Sequence, residues 1–231
     1  EYLGVAHAVT TTSATTALHM TMDAMEIGDG DEVLVSDFSF PASGNSVVQT
    51  GAKPVFVDCV PGRFDLDPEH LAASITPKSK AVMVVHPFGQ PADMTEINRI
   101  ASRHSLKVIE DAACALGTRH NGKPCGTLSD AGCFSFHPRK LLNTGEGGLI
   151  VTGDETLASN LTVLRTHGGV RDEVGLAFVE NGFNYRMTEM QAALGLSQIA
   201  GFDRALIERR RLARLYNEQF AKVPGVTVPM S

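Results

Sequence analysis

Seven short apolar runs, separated by helical patterns, restrict how this chain can fold more than any other feature. They are Val5–Thr11, Glu32–Ser36, Pro54–Asp58, Ala81–His86, Lys107–Asp111, Gly132–Phe136 and Gly148–Thr152. Several are continuously apolar, as strands buried on both faces should be. The intervening segments carry helix-start signals. Ser13 precedes Ala14, Ala17, Leu18, Met22 and Met25, which share one helical face. Asp67 sets a cap before Pro68, and Asp93 and Glu96 have capping-box spacing ahead of Ile97, Ile100 and Ala101. Later helical regions cover Asp154–Thr166 and Thr188–Val223, the second with Gly195 and Gly201 as bend points. This alternation predicts an α/β fold, a mainly parallel seven-stranded sheet flanked by helices. The last run is the expected exception, because a glycine-rich, hairpin-like loop precedes it.

The 231 residues allow one large domain or two small ones. A net charge of −6 argues against a general nucleic-acid binder. The triple Arg209–Arg211 reads as a solvated helix face. No apolar run reaches the ~18–20 residues of a membrane span. Glu1–His7 lacks the regions of a signal peptide, and no methionine opens the chain. The expected compartment is the cytoplasm, with further residues upstream. Cys59, Cys114, Cys125 and Cys133 form no Cys-x-x-Cys pair, and three lie in or beside predicted strands. Neither a disulfide framework nor a metal site is expected.

The chemistry concentrates between Val108 and Lys140. Asp111 ends one apolar strand, Ser135 lies inside another, and Lys140 follows it, ahead of Leu-Leu-Asn-Thr-Gly-Glu-Gly-Gly. A carboxylate, a hydroxyl and an amine in this order suit pyridoxal 5'-phosphate, which needs a partner for its pyridine nitrogen, donors for its phosphate and an amine for its aldehyde. Glu110 should face away from Asp111 across the pleat, so Asp111 is the expected partner. Ser13–Leu18, between a strand and a helix, offers free N–H groups to an anion, with hydroxyls from Thr15 and Thr16. Phe40 follows the second strand and could stack on a planar ring. Asn184 and Arg186 precede the final helical region, and either can bind an anion. Taken singly, each has an ordinary structural reading: cap, core aromatic or solvated side chain.

Together these segments resemble the DegT/DnrJ/EryC1/StrS family of nucleotide-sugar aminotransferases. The resemblance runs from Val5 to about Lys222. It is carried by Ser13–Leu18, Gly28–Val33, Phe38–Asn45, Gly51–Asp58, His86–Asp93, Val108–Gly117, Cys133–Gly148 and Asn184–Ala193. It implies the large domain of a fold-type I transferase over residues 1–222, with 223–231 beginning a small domain that is largely missing. It implies pyridoxal 5'-phosphate as cofactor, a nucleotide sugar and an amino-acid donor as substrates, and a homodimer with shared active sites. Lys140 matches the cofactor-linking lysine, Asp111 the pyridinium partner and Ser135 a phosphate ligand. Thr15, with Thr16 beside it, matches the phosphate turn, and Phe40 the stacked aromatic. Asn184 matches a residue that reaches the neighbouring subunit's phosphate, and Arg186 a substrate contact. Cys114 stands where many members have glutamine near the cofactor's phenolic oxygen, and Ala14 where glycine is usual. A sugar dehydratase of the same family and a non-catalytic cofactor-binding protein are the alternatives.

Overall fold

A computed structural model describes residues 1–171 and 173–229. The seven expected strands form one sheet: β1 (His7–Thr11), β2 (Glu32–Ser36), β3 (Lys53–Val57), β4 (Ser79–Val85), β5 (Lys107–Asp111), β8 (Ala131–Ser135) and β9 (Gly148–Thr152). Two short hairpins lie outside it: β6 (Arg119–His120) with β7 (Lys123–Pro124), and β10 (Gly169–Arg171) with β11 (Leu176–Phe178). The sheet order is β1-β9-β8-β5-β4-β2-β3. Every pairing from β3 to β8 is parallel, whereas β9 is antiparallel to both β8 and β1. The glycine-rich loop ahead of Gly148 thus reverses the chain, as its composition suggested. All strands but β9 point the same way, so their C-terminal ends share one edge.

Helices α1 (Ala14–Ala24), α2 (Pro41–Gln49), α3 (Pro68–Ser74), α4 (Met94–Arg103), α5 (Glu155–Arg165), α6 (Glu189–Ile199) and α7 (Phe202–Phe220) cover the sheet. Three caps read from the sequence are made, and Asp154 adds a fourth. Ser13 and Thr16 form a reciprocal capping box. Asp67 accepts from the Glu69 and His70 amides, and Asp154 from those of Thr156 and Leu157. Asp93 accepts from Glu96 N, but the Glu96 side chain turns to Arg99 instead of completing the box.

One sheet face carries Val33, Val35, Met83, Ile109 and Cys133 against Leu18, Met22, Val47 and Leu161 of α1, α2 and α5. The opposite face carries Leu34, Val82, Val84 and Val108 against Leu71, Met94 and Ile97 of α3 and α4. Such large side chains each contribute ~1.5–3 kcal/mol on full burial, so both faces hold the sheet's residue parity firmly.

Two expectations change. The single long helix over Thr188–Val223 is two helices: α6 ends at Ile199, and α7 starts after Gly201. Gly195 lies inside α6 without bending it, and only Gly201 marks a break. A turn follows α7, in which Val226 N donates to Val223 O at 3.2 Å. No strand occupies Thr227–Pro229, and Met230 and Ser231 of the expected small-domain start lie outside the described residues. No described helix is long and apolar enough to cross a membrane.

Candidate active site

The register fixes which residues meet at the common edge. Thr11 pairs with Gly148 and Gly148 with Ser135, so the β1–α1 turn and Ser135 flank one glycine. On the next strand Asp111 pairs with Cys133, two residues before Ser135. With strands ~4.8 Å apart, acid, hydroxyl and helix N-terminus lie within a small ligand's reach. Gly148 is required here: a Cβ on it would come within 2.3 Å of the Ser13 carbonyl oxygen.

Asp111 is buried and well held. Ser43 Oγ, from α2, donates to its Oδ2 at 2.7 Å, and Ala113 N donates to its Oδ1 at 3.2 Å. Two acceptances leave lone pairs free for a further donor. Ser43 is in turn joined to Ser39 across 2.5 Å, which ties the segment bearing Phe40 to the acid. Phe40 caps α2 and is 72 % exposed, so its ring face is open to a ligand.

Glu110 faces the other way, as pleating required. It accepts from Gly126 N at 2.5 Å, Leu128 N at 2.7 Å and Ser129 Oγ at 2.8 Å, and lies 2.9 Å from His86 Nε2. His86 Nδ1 accepts from Ala92 N, so the proton between the pair belongs on Nε2 and His86 donates to Glu110. His86, Glu110 and Cys125 are close enough to suggest metal ligands, but the donors around Glu110 already saturate its oxygens.

Lys140 Nζ donates to Cys114 Sγ at 3.0 Å. Cys114 is exposed three residues past Asp111. This contact brings the amine to the β5 end, where Asp111 lies. The loop carrying Lys140 is closed by Phe136 N to Gly147 O at 2.8 Å and Thr144 N to Phe136 O at 2.9 Å. From α6, Gln198 accepts from Asn143 N and donates to Asn143 O. Gly195 permits that approach, since its Cβ would meet Thr144 Cγ2 at 3.0 Å. Buried Cys133 is the opposite case to Cys114: desolvation pushes its thiol up to about 12.

At the α1 turn, Ser13 Oγ accepts from Thr16 N and Ser13 O from Ala17 N. The amides of Ala14 and Thr15, in the first turn, remain for a ligand. Thr16 Oγ1 donates to Ser13 O at 2.9 Å and accepts from Ser13 N, so the cap occupies it. Ser135 Oγ is partly exposed and only loosely engaged, accepting from His137 N at 3.3 Å.

Asn184 and Arg186 are exposed, on a segment that pairs with the end of α5 through the Thr166–Asn184 bridge. That segment is fixed by stacked Phe183 and Tyr185, 4.6 Å apart, and by a 3.2 Å contact between Tyr185 Oη and His19 Nδ1. Neither Asn184 nor Arg186 touches Asp111, Ser135 or Lys140 among the described residues. Sequence reading missed Ser43. Its only signal was Pro41, which pre-sets a helix start two residues earlier.

Comparison with known proteins settles the family. Residues 1–231 match the DegT/DnrJ/EryC1/StrS aminotransferase family throughout. This chain belongs to that family. It is 46% identical to GDP-perosamine synthase of Caulobacter vibrioides over 99% of its own length and 62% of the relative's. It is 42% identical to UDP-N-acetyl-3-dehydro-alpha-D-glucosamine 3-aminotransferase of Acidithiobacillus ferrooxidans, over 93% of this chain and 58% of that one. The crystal structure of DesV from S. venezuelae superposes with a TM-score of 0.95 at 38% identity, covering 100% of this chain and 62% of DesV. This DegT/DnrJ/EryC1/StrS member therefore has the fold-type I architecture of pyridoxal phosphate-dependent aminotransferases. It spans about 60% of the length of the relatives it matches.

Its residues fit that cofactor. A buried carboxylate with spare lone pairs, a helix N-terminus with free amides and a lysine amine converge on one sheet edge, and Gly148 leaves the backbone close-packed between them.

Proposed function

We propose that this chain carries the cofactor site of an aminotransferase that moves an amino group from an amino-acid donor, glutamate being expected, to a keto group of a nucleotide-activated sugar. The observation that carries this reading is the convergence of Asp111, Ser135 and Lys140 beside the α1 turn. Two relatives are named for GDP-perosamine synthesis and for a UDP-amino-sugar aminotransferase reaction, which supports the substrate class.

When bound, the cofactor supplies an aldehyde that takes up an amine and a pyridinium ring that draws off electron density. In this reading Asp111 accepts a hydrogen bond from the ring nitrogen and keeps a proton there. Ser43 and Ala113 N hold that carboxylate in place. The amides of Ala14 and Thr15, with the Thr15 and Ser135 hydroxyls, bind the phosphate. Thr16 serves it indirectly, by shaping the turn. Phe40 would stack on the ring, and Cys114 would stand on the side of its phenolic oxygen. Lys140 Nζ would be the amine that holds the cofactor's aldehyde carbon, whose oxygen leaves as water, and it would move a proton at the carbon bearing the nitrogen.

Residues 1–222 are read as the cofactor-binding domain and 223–231 as the lead into a second one. The partner is read as a second copy of the chain, with Asn184 of each copy serving the other's phosphate. Exposed Met190 (82 %), Leu196 (72 %) and Phe178 (66 %) support an apolar contact on that side.

The deciding experiment is borohydride reduction with pyridoxal phosphate, followed by intact mass. The protein should gain one cofactor mass, and Lys140→Ala should gain none. A variant that still gains the mass would end the assignment. Mixing Lys140→Ala with Asn184→Ala tests the partner: recovered transamination, absent from either alone, is expected of shared sites.

A further inference from the structure

Phe88 stands in a costly place. Gln90 N donates to Pro87 O at 2.9 Å, closing a tight turn whose central residues, Phe88 (φ 55°) and Gly89 (φ 82°), both have positive φ. Asn, Asp and Gly ordinarily fill such turns, because a bulky L side chain is strained there. Phe88 is also 75 % exposed, so its ring gains little from burial. The ring has two aromatic neighbours. Its centroid lies 5.8 Å from that of Phe38 and 5.6 Å from that of Phe64, and those two lie 4.8 Å apart. Cys59 Sγ donates to Phe64 O at 3.5 Å and helps to set that ring.

The fold sets this aromatic wall beside the amine of Lys140. Its rings come from the segments that follow β2, β3 and β4, which leave the sheet at the edge where β5 presents Asp111. Gly89 packs against the stretch after Asp111. A Cβ on it would come within 3.0 Å of Cys114 O, and Thr118 Oγ1 donates to Gly89 O at 2.8 Å. Cys114 is also the residue whose Sγ lies 3.0 Å from Lys140 Nζ. Phe88 is thus the immediate neighbour of a residue that packs on the amine's partner. Acids flank the other end of the wall. Burial raises the pKa of the Cys59 thiol, and the charges of Asp58, Asp37 and Asp65 raise it further.

We propose that Phe38, Phe64 and Phe88 form the wall against which the hexose of the nucleotide-linked substrate lies. This rests on the substrate class proposed above. The reacting carbon belongs to the hexose and must come to the cofactor carbon that Lys140 would hold, so the wall nearest the amine meets the sugar. In the GDP- and UDP-linked sugars for which relatives are named, two phosphoryl groups separate the base from the sugar. A hexose carries patches of C–H that lie flat on the electron-rich face of an aromatic ring. Its hydroxyls donate to carboxylates, whereas a diphosphate is repelled by the same acids. The strained turn holds an exposed ring in place where no core packing would.

The probes are GDP-mannose and UDP-N-acetylglucosamine, each paired with its nucleoside diphosphate and titrated calorimetrically into protein saturated with pyridoxal phosphate. At least one sugar nucleotide should bind more tightly than its diphosphate. Phe88→Ala and Phe88→Asn should weaken that sugar nucleotide by about tenfold and leave the diphosphate unchanged. Asn suits positive φ, so Phe88→Asn should melt at or above the wild-type temperature, which separates a lost contact from a lost fold. The chain has no tryptophan, so Phe88→Trp supplies a single emission that the sugar nucleotide should change and the diphosphate should not. Equal weakening of both probes, unchanged affinity for the sugar nucleotide, no sugar-nucleotide binding by wild type, a lower melting temperature for Phe88→Asn, or loss of self-association in Phe88→Ala would each overturn the proposal. Cofactor mass gain after borohydride reduction is measured in parallel. Its failure in wild type, alongside a Phe88-dependent sugar preference in the cofactor-free protein, would instead remove the aminotransferase reading and leave the sugar wall standing.

Discussion

Ser43 Oγ donates to Asp111 Oδ2 across 2.7 Å, joining the third residue of α2 to the last residue of β5. Both are buried, so this charge-assisted bond has little competition from water. Ser43→Ala leaves one carboxylate oxygen without its donor. The expected cost is about 1.5–3 kcal/mol in urea unfolding, with weaker pyridoxal phosphate binding in a spectroscopic titration. Unchanged values in both would show that the serine does not orient the acid.

Gly148→Ala puts a methyl group against the Ser13 carbonyl. Backbone cannot swing aside as a side-chain tip can. A loss of about 1–3 kcal/mol is expected, together with poorer phosphate binding at the α1 turn. Thermal melts with and without pyridoxal phosphate separate the two, since the cofactor-induced rise in Tm should shrink along with Tm itself.

Glu110→Gln should be more damaging than its small size change suggests. The carboxylate accepts from two backbone amides and a serine and pairs with His86, all in a buried cluster. The amide group of glutamine would point a donor at donors. We expect about 3–5 kcal/mol of destabilisation by denaturant midpoint. Because Glu110 lies on the face away from Lys140, cofactor attachment should persist in whatever fraction stays folded.

The thiols should divide by environment. Exposed Cys114 should react with a disulfide reagent at pH 8 before any unfolding, and bound pyridoxal phosphate should slow it. Burial raises the Cys133 thiol to about 12, above its unfolded value. The folded state therefore retains a proton that the unfolded chain gives up. That stability is complete below about pH 8.5 and is lost as pH rises toward 12, by up to about 1.4 kcal/mol per pH unit. Cys133→Ala should reduce that alkaline slope in pH-dependent urea unfolding, leaving the share of Cys125, whose thiol burial also raises to about 12.

The sheet was legible because buried strands announce themselves as unbroken apolar runs such as Ala81–Val85. Pleating alone separated Asp111 from Glu110. Helix α2 was not legible. Its sequence, Pro-Ala-Ser-Gly-Asn-Ser-Val-Val-Gln, is poor in helix formers, and its N-cap Phe40 supplies no side-chain bond. Tertiary burial of Val47 against the sheet holds it instead. Ser43 went unread for the same reason, since its role exists only once α2 has docked. The Lys140–Cys114 contact likewise depends on a loop path that no periodicity encodes. The break after α6 was half visible, because two glycines offered themselves and only packing chose between them.

The reversal at β9 has a further consequence for Lys140. Because β8 and β9 run in opposite directions as neighbours, the loop between Ser135 and Gly148 leaves and re-enters the sheet at the same edge. The lysine hangs from a leash tied at both ends, and Gln198 pins it midway. Its amine can sweep only a short arc. A one-residue insertion there would leave the strand pairing intact and lengthen the leash, so that the amine loses its fixed reach to the β5 end.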